Sequence, residues 1–69
     1  MDIRAKLLHL LGHWIEHNEA HLQTYRDWAD QASMGGLVEA ARELEGAIRA
    51  TESVNESMRR AQKTLRSAD

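Results

Sequence analysis

Ser33-Met34-Gly35-Gly36 is the single break in a text that otherwise reads as helix from end to end. Paired glycines reach the left-handed and extended backbone conformations that stop one helix and start another. The tetrapeptide therefore predicts a reversal, with one helix before it and one after. Asp2 is placed to cap a first helix over residues 2–32. Gly36, with Glu39 three positions later, resembles a cap for a second helix over residues 37–67. Each rod would be about 45 Å long at 1.5 Å per residue. Gly12 and Gly46 fall inside the rods and cost about 1 kcal/mol each without ending them. The expected architecture is all-α: one domain over residues 1–69, folded as an antiparallel two-helix hairpin with its turn at 33–36.

At about 100° per residue, the first helix gathers Ile3, Leu7, Leu10, Leu11, Trp14, Ile15, Leu22, Tyr25, Trp28 and Ala29 on one broad face, with Leu8 at its edge. An arc that wide exceeds what one neighbouring helix covers. The second helix is stricter. Leu37, Ala41, Leu44, Ile48, Thr51, Asn55, Met58, Gln62 and Leu65 alternate by four and three, and Ala40, Ala47, Val54, Ala61 and Ala68 run beside them at every seventh residue. Small side chains in such a row let helices approach closely. One broad face and one close-packing face most simply double into a four-helix bundle, so a homodimer is expected. The spacing of Trp14, Tyr25 and Trp28 on the arc fits core or dimer packing better than ligand stacking.

Composition points the same way. Of the 69 residues 42% are apolar, but ten of those apolar residues are alanine, which leaves few large side chains for a core. A chain this short, without a disulfide, gains most from a partner or very regular packing. The absence of cysteine excludes a disulfide scaffold, a CxxC redox site and a cysteine zinc finger, and the length excludes a two-domain enzyme. No apolar run exceeds two residues, as in Leu7-Leu8, so no membrane span is expected. Met1 to Lys6 lack the basic start and apolar stretch of a secretory signal, and a cytoplasmic location follows as the expectation. A net charge of −2 gives no reason to expect a nucleic-acid or anionic-membrane partner. Arg59, Arg60, Lys63 and Arg66 form a basic end to the second helix, where cations oppose the macrodipole.

The polar interruptions of the two rods coincide. Folding at the glycines pairs residues whose numbers sum to about 70, which brings Asn18 and His17 to the neighbourhood of Thr51, Glu52 and Asn55. A buried polar layer is costly unless each member finds a partner or an ion. Such a layer either sets helix register, as polar core residues do in coiled coils, or forms a site.

All four histidines, His9, His13, His17 and His21, recur at intervals of four. Each rung of this ladder is displaced by about 40° from the last, so it turns from solvent at His9 toward the core shoulder at His21. Imidazoles one turn apart can grip one divalent ion. His13, His17 and His21 are the candidate metal ligands, Glu16 and Glu52 the candidate carboxylates, and Glu19 lies near. Imidazole donors suit nickel, zinc, copper or cobalt, with nickel or zinc the foremost expectation, and no thiolate is present to favour copper(I) or an iron–sulfur cluster. A two-fold partner would double the ligand count. Acidification that protonates imidazole would stack positive charge along the stripe and weaken the helix or its metal. Without metal, His9 and His13 would be solvated while His17 and His21 hydrogen-bond within the bundle.

His13-Trp14-Ile15-Glu16-His17 also matches H-x-x-E-H, in which two histidines hold zinc and the glutamate activates water. Hydrolysis needs a further ligand, a cleft and groups that stabilise an oxyanion, which a lone hairpin does not supply, so no enzyme is expected. The E-x-x-H pairing of four-helix di-iron sites is absent.

The run Leu10 to His21, containing His13-Trp14-Ile15-Glu16-His17-Asn18 and His21, followed by Tyr25-Arg26-Asp27-Trp28-Ala29, resembles a small histidine-rich helical domain of unknown function. That domain is associated with anaerobic bacteria and archaea, alone or appended to small nickel-binding accessory proteins of carbon monoxide dehydrogenase maturation. The resemblance is strongest over residues 7–29 and compositional beyond them, and Gly12 departs from the acidic residue of the pattern. It implies a metal-handling role, with His13, His17, Asn18 and His21 as the matching positions, Glu19 as a further acidic match, and a metal-accessory protein as the implied partner. The expectation is therefore metal binding, storage or delivery. The alternative is a metal-free oligomerisation or adaptor module whose polar layer sets register.

Overall fold

Gly36 carries the reversal, with φ at +79°, the left-handed region where a side chain is strained. In the computed structural model, which describes residues 2–67, it joins α1 (Ile3–Met34) to α2 (Val38–Ser67). The Leu37 N–H donates to the Ala32 carbonyl at 2.8 Å and the Gly36 N–H to the Ser33 carbonyl at 3.1 Å. These six-to-one and five-to-two bonds define a Schellman motif. Ser33 and Met34 are consequently the last turn of α1, not part of the turn. Leu37, not Gly36, holds the N-cap position of α2, since its carbonyl accepts the Ala41 N–H at 2.9 Å. The expected cap formed by Gly36 and Glu39 is thereby corrected: Gly36 serves the end of the first helix. At the other end Asp2 caps α1 as expected, extended at φ −77° and accepting the Ala5 N–H on its carboxylate at 2.8 Å.

The helices lie side by side and antiparallel over a long axis of 52 Å, with the other extents 16 and 12 Å. Their shared seam buries Leu11, Ile15, Leu22 and Ala29 from α1 and Ala41 and Asn55 from α2. The seam residues Leu44, Ile48, Met58, Gln62 and Leu65 are half-buried. Ala68, assigned above to the small-residue row, lies outside the described residues. Asn55 is the most buried side chain of the hairpin, 1% exposed. Its amide donates to the Ile15 carbonyl at 3.3 Å, and its oxygen accepts from Asn18 Nδ2 at 2.8 Å. Among the described residues no buried side-chain nitrogen or oxygen lacks a partner. The expected coincidence of polar interruptions is thus an Asn18–Asn55 pair, with Asn55 buried in the seam and Asn18 half-buried at its edge.

The register runs later along α2 than a sum of 70 implies, because the reversal centres on Gly36. Arg26 pairs with Glu52 at 2.7 Å and Arg59 pairs with Glu19. Glu52 is therefore not beside Asn18 and His17 but on the flank beyond them. No described helix is long and apolar enough to cross a membrane.

Candidate functional site

The seam divides the hairpin into two unlike flanks. One holds the cross-helix pairs Arg26–Glu52 and Glu19–Arg59, which line a groove with Leu22, Gln23 and Asn55. The other is apolar. Near its middle a shallow groove is lined by Trp14, His17, Asn18, His21 and Met58, and nearer the turn Trp28, Leu37 and Leu44 line another. Trp28 is 63% exposed and Val54 45%, values that leave substantial apolar surface in water.

The histidine ladder crosses between these environments. All four rings are exposed, so the inward-bonded arrangement weighed for His17 and His21 is not the one adopted. His9 and His13 open onto a groove on the charged side with Gly12, Glu16, Gln62 and Arg66. His17 and His21 face the apolar groove. Their rings stack with centroids 4.6 Å apart and planes 20° from parallel, a consequence of the four-residue repeat on a 3.6-residue helix. His13 meets His17 edge-on at 6.1 Å, and Tyr25 extends the stack beyond His21 at 5.8 Å.

The candidate ligands consequently separate into two sets. His17 and His21 are together, with His13 at the edge of reach. Glu16 lies with His9 and His13 in the groove toward the N-terminal end of α1. Glu52 is engaged with Arg26 on the opposite flank and lines a groove that contains no histidine. Glu19 is likewise held by Arg59. Among the described residues no three histidine, aspartate or glutamate side chains converge within the single chain. Tyr25 as the end of the ring stack and Met58 as the floor of the groove were legible only as packing residues. Their signal was present, since Tyr25 continues the four-residue spacing from His21 and Met58 sits on the polar-interrupted seam.

Fold and ladder together define a class of protein: a two-helix hairpin with an asparagine-locked core and a stack of imidazoles on one rod. The chain belongs to the family described as domain of unknown function DUF8180, whose profile matches residues 7–65. The match spans both helices, beyond the N-terminal half that carries the histidine run. No curated protein and no solved structure matches the chain.

Proposed function

We propose that the hairpin binds a divalent transition metal, nickel or zinc foremost, through His17 and His21, in a role of binding, storage or delivery rather than catalysis. The observation that carries this reading is the 4.6 Å stacking of the two rings. Two zinc–nitrogen bonds of about 2.1 Å at a tetrahedral angle place their donors roughly 3.4 Å apart, a separation that rotation about the soft terminal torsion of each ring can reach from the stacked pair. His13, edge-on to His17, is the nearest further imidazole. Glu16 belongs to a secondary set with His13, and recruiting Glu52 would first break its bond to Arg26. The resemblance of the His13–His21 segment to domains accompanying nickel-binding accessory proteins supports the same role, with such a protein as recipient or donor of the ion in the cytoplasm.

Calorimetric titration of chelator-treated protein with nickel, zinc and cobalt tests the reading. Binding should be lost in the His17→Ala, His21→Ala double variant and retained in His9→Ala. It should also weaken on acidification, because protons compete for the imidazole lone pairs. Affinity equal to that of a scrambled helix of the same histidine content would reject it.

A second reading is favoured by the exposed apolar flank and the cross-helix Asn18–Asn55 pair: a metal-free adaptor whose asparagines fix register. It predicts self-association or partner binding insensitive to loss of both histidines.

A further inference from the structure

We infer that the metal site is completed by a second copy of this chain, packed on the apolar flank about a two-fold axis perpendicular to the helices, so that one ion is held by His17 and His21 of both copies. The inference rests on the proposed metal reading and adds its stoichiometry, its geometry and its consequence for assembly.

Incompleteness of the site comes first. A structural zinc takes four ligands, and even an open site takes three from protein, whereas the His17–His21 pair supplies two. Within the chain His13 approaches His17 at 6.1 Å but stands two turns, about 12 Å of rise, from His21, so it cannot join an ion held by both. Glu52 and Glu19 are bonded to arginines on the other flank, Glu16 opens onto a different groove, and Asn18 is committed to Asn55.

Position comes second. The pair straddles the middle of α1, Ile3–Met34. A two-fold axis through that point, crossing the long axis at right angles, lays α1 antiparallel on its copy and sets His17 of each chain opposite His21 of the other. The same operation matches the rest of the flank by helical phase: Leu10 meets Trp28, and Trp14 meets Tyr25 and Leu7 meets Ala32 to within one residue. On α2 the level of Asn18 corresponds to Asn55, so Val54 falls on the axis and Ala47 lies opposite Ala61, small residues that let the helices close. A surface whose residues match themselves under one rotation is what an isologous interface requires. No cross-helix ion pair is buried by it, because Arg26–Glu52 and Glu19–Arg59 lie on the opposite flank. A parallel two-fold would instead set α1 against α2, with Met58 facing the imidazoles, and would add no ligand.

Sedimentation equilibrium and native mass spectrometry of the full chain, chelator-treated and then titrated with zinc, test the proposal. Expected are one zinc per two chains and a dimer tightened at least about tenfold by zinc, since an ion bound only in the dimer stabilises it by mass action. Single His17→Ala and His21→Ala variants, on exposed positions that leave helicity by circular dichroism unchanged, should each lose that tightening. A nitroxide on Ser33→Cys, in a chain without native cysteine, should report an interchain separation of about 40 Å, twice the rise from the two-fold at the histidine pair to Ser33 at 1.5 Å per residue. One zinc per monomer, with binding still dependent on His17 and His21, would overturn the shared site and leave the metal reading standing. No zinc binding would remove both. A zinc-bound dimer with adjacent Ser33 labels would also overturn it.

Discussion

Replacing Asn55 with alanine probes the one polar side chain that is fully buried among the described residues. The substitution removes the hydrogen bonds to the Ile15 carbonyl and from Asn18, each contributing about 1 kcal/mol net. It also opens a void where a side chain only 1% exposed had stood, and it leaves Asn18 Nδ2 with only the weak acceptor Met58 Sδ at 3.9 Å. Together these predict a loss of about 2–3 kcal/mol, equivalent to roughly 10–20 °C in melting temperature for a domain this small. Urea titration followed by far-ultraviolet circular dichroism, at one fixed protein concentration, measures it. Asn18→Ala, alone and combined with Asn55→Ala, closes a double-mutant cycle whose coupling should be about 1 kcal/mol. Replacing both asparagines with leucine should restore most of the stability, since losing a pair together leaves neither partner unsatisfied. The reasoning fails if Asn55→Ala stays within about 0.5 kcal/mol of the parent, or if the two alanine effects simply add.

Further outcomes concern the backbone and the charged flank. Gly36→Ala should cost about 1–2 kcal/mol, because φ of +79° is strained for any side chain. Gly46→Ala should instead stabilise by up to about 1 kcal/mol, since the added methyl meets only the end of the Arg49 side chain, at 3.9 Å; thermal melts of the two variants must move in opposite directions. Arg26→Ala removes a salt bridge whose side chains are nearly half exposed and should cost less than about 1 kcal/mol, an effect that shrinks as salt is added.

Much of this architecture was legible because it depends on local signals. The paired glycines, Asp2 and the four-and-three spacing of Leu37 to Leu65 dictate a hairpin without long-range information. Two adjacent glycines do not reveal which of them turns left-handed; the choice of Gly36 added Ser33 and Met34 to α1 and moved the register with them. The meeting of polar interruptions at Asn18 and Asn55 follows from the sequence spacing, whereas the place of Glu52 on the far flank, away from Asn18, does not. One step of sequence, from Thr51 to Glu52, is a rotation of about 100°, which carried the carboxylate around to Arg26. Helical phase alone also could not tell which half of the broad arc on α1 would be covered. That depends on where the second helix lies, and it decided that Leu11, Ile15 and Leu22 are inside while Trp28 is not.

The left-handed turn at Gly36 also governs which molecule each half of the chain chooses. Were the kink to straighten, the two halves would run on as one continuous rod, and every contact of the seam, the asparagine lock included, would re-form just as well with halves of another chain. Nothing in the seam itself distinguishes self from copy. A single glycine's dihedral angle therefore guards against strand exchange, and variants that stiffen it invite entangled pairs.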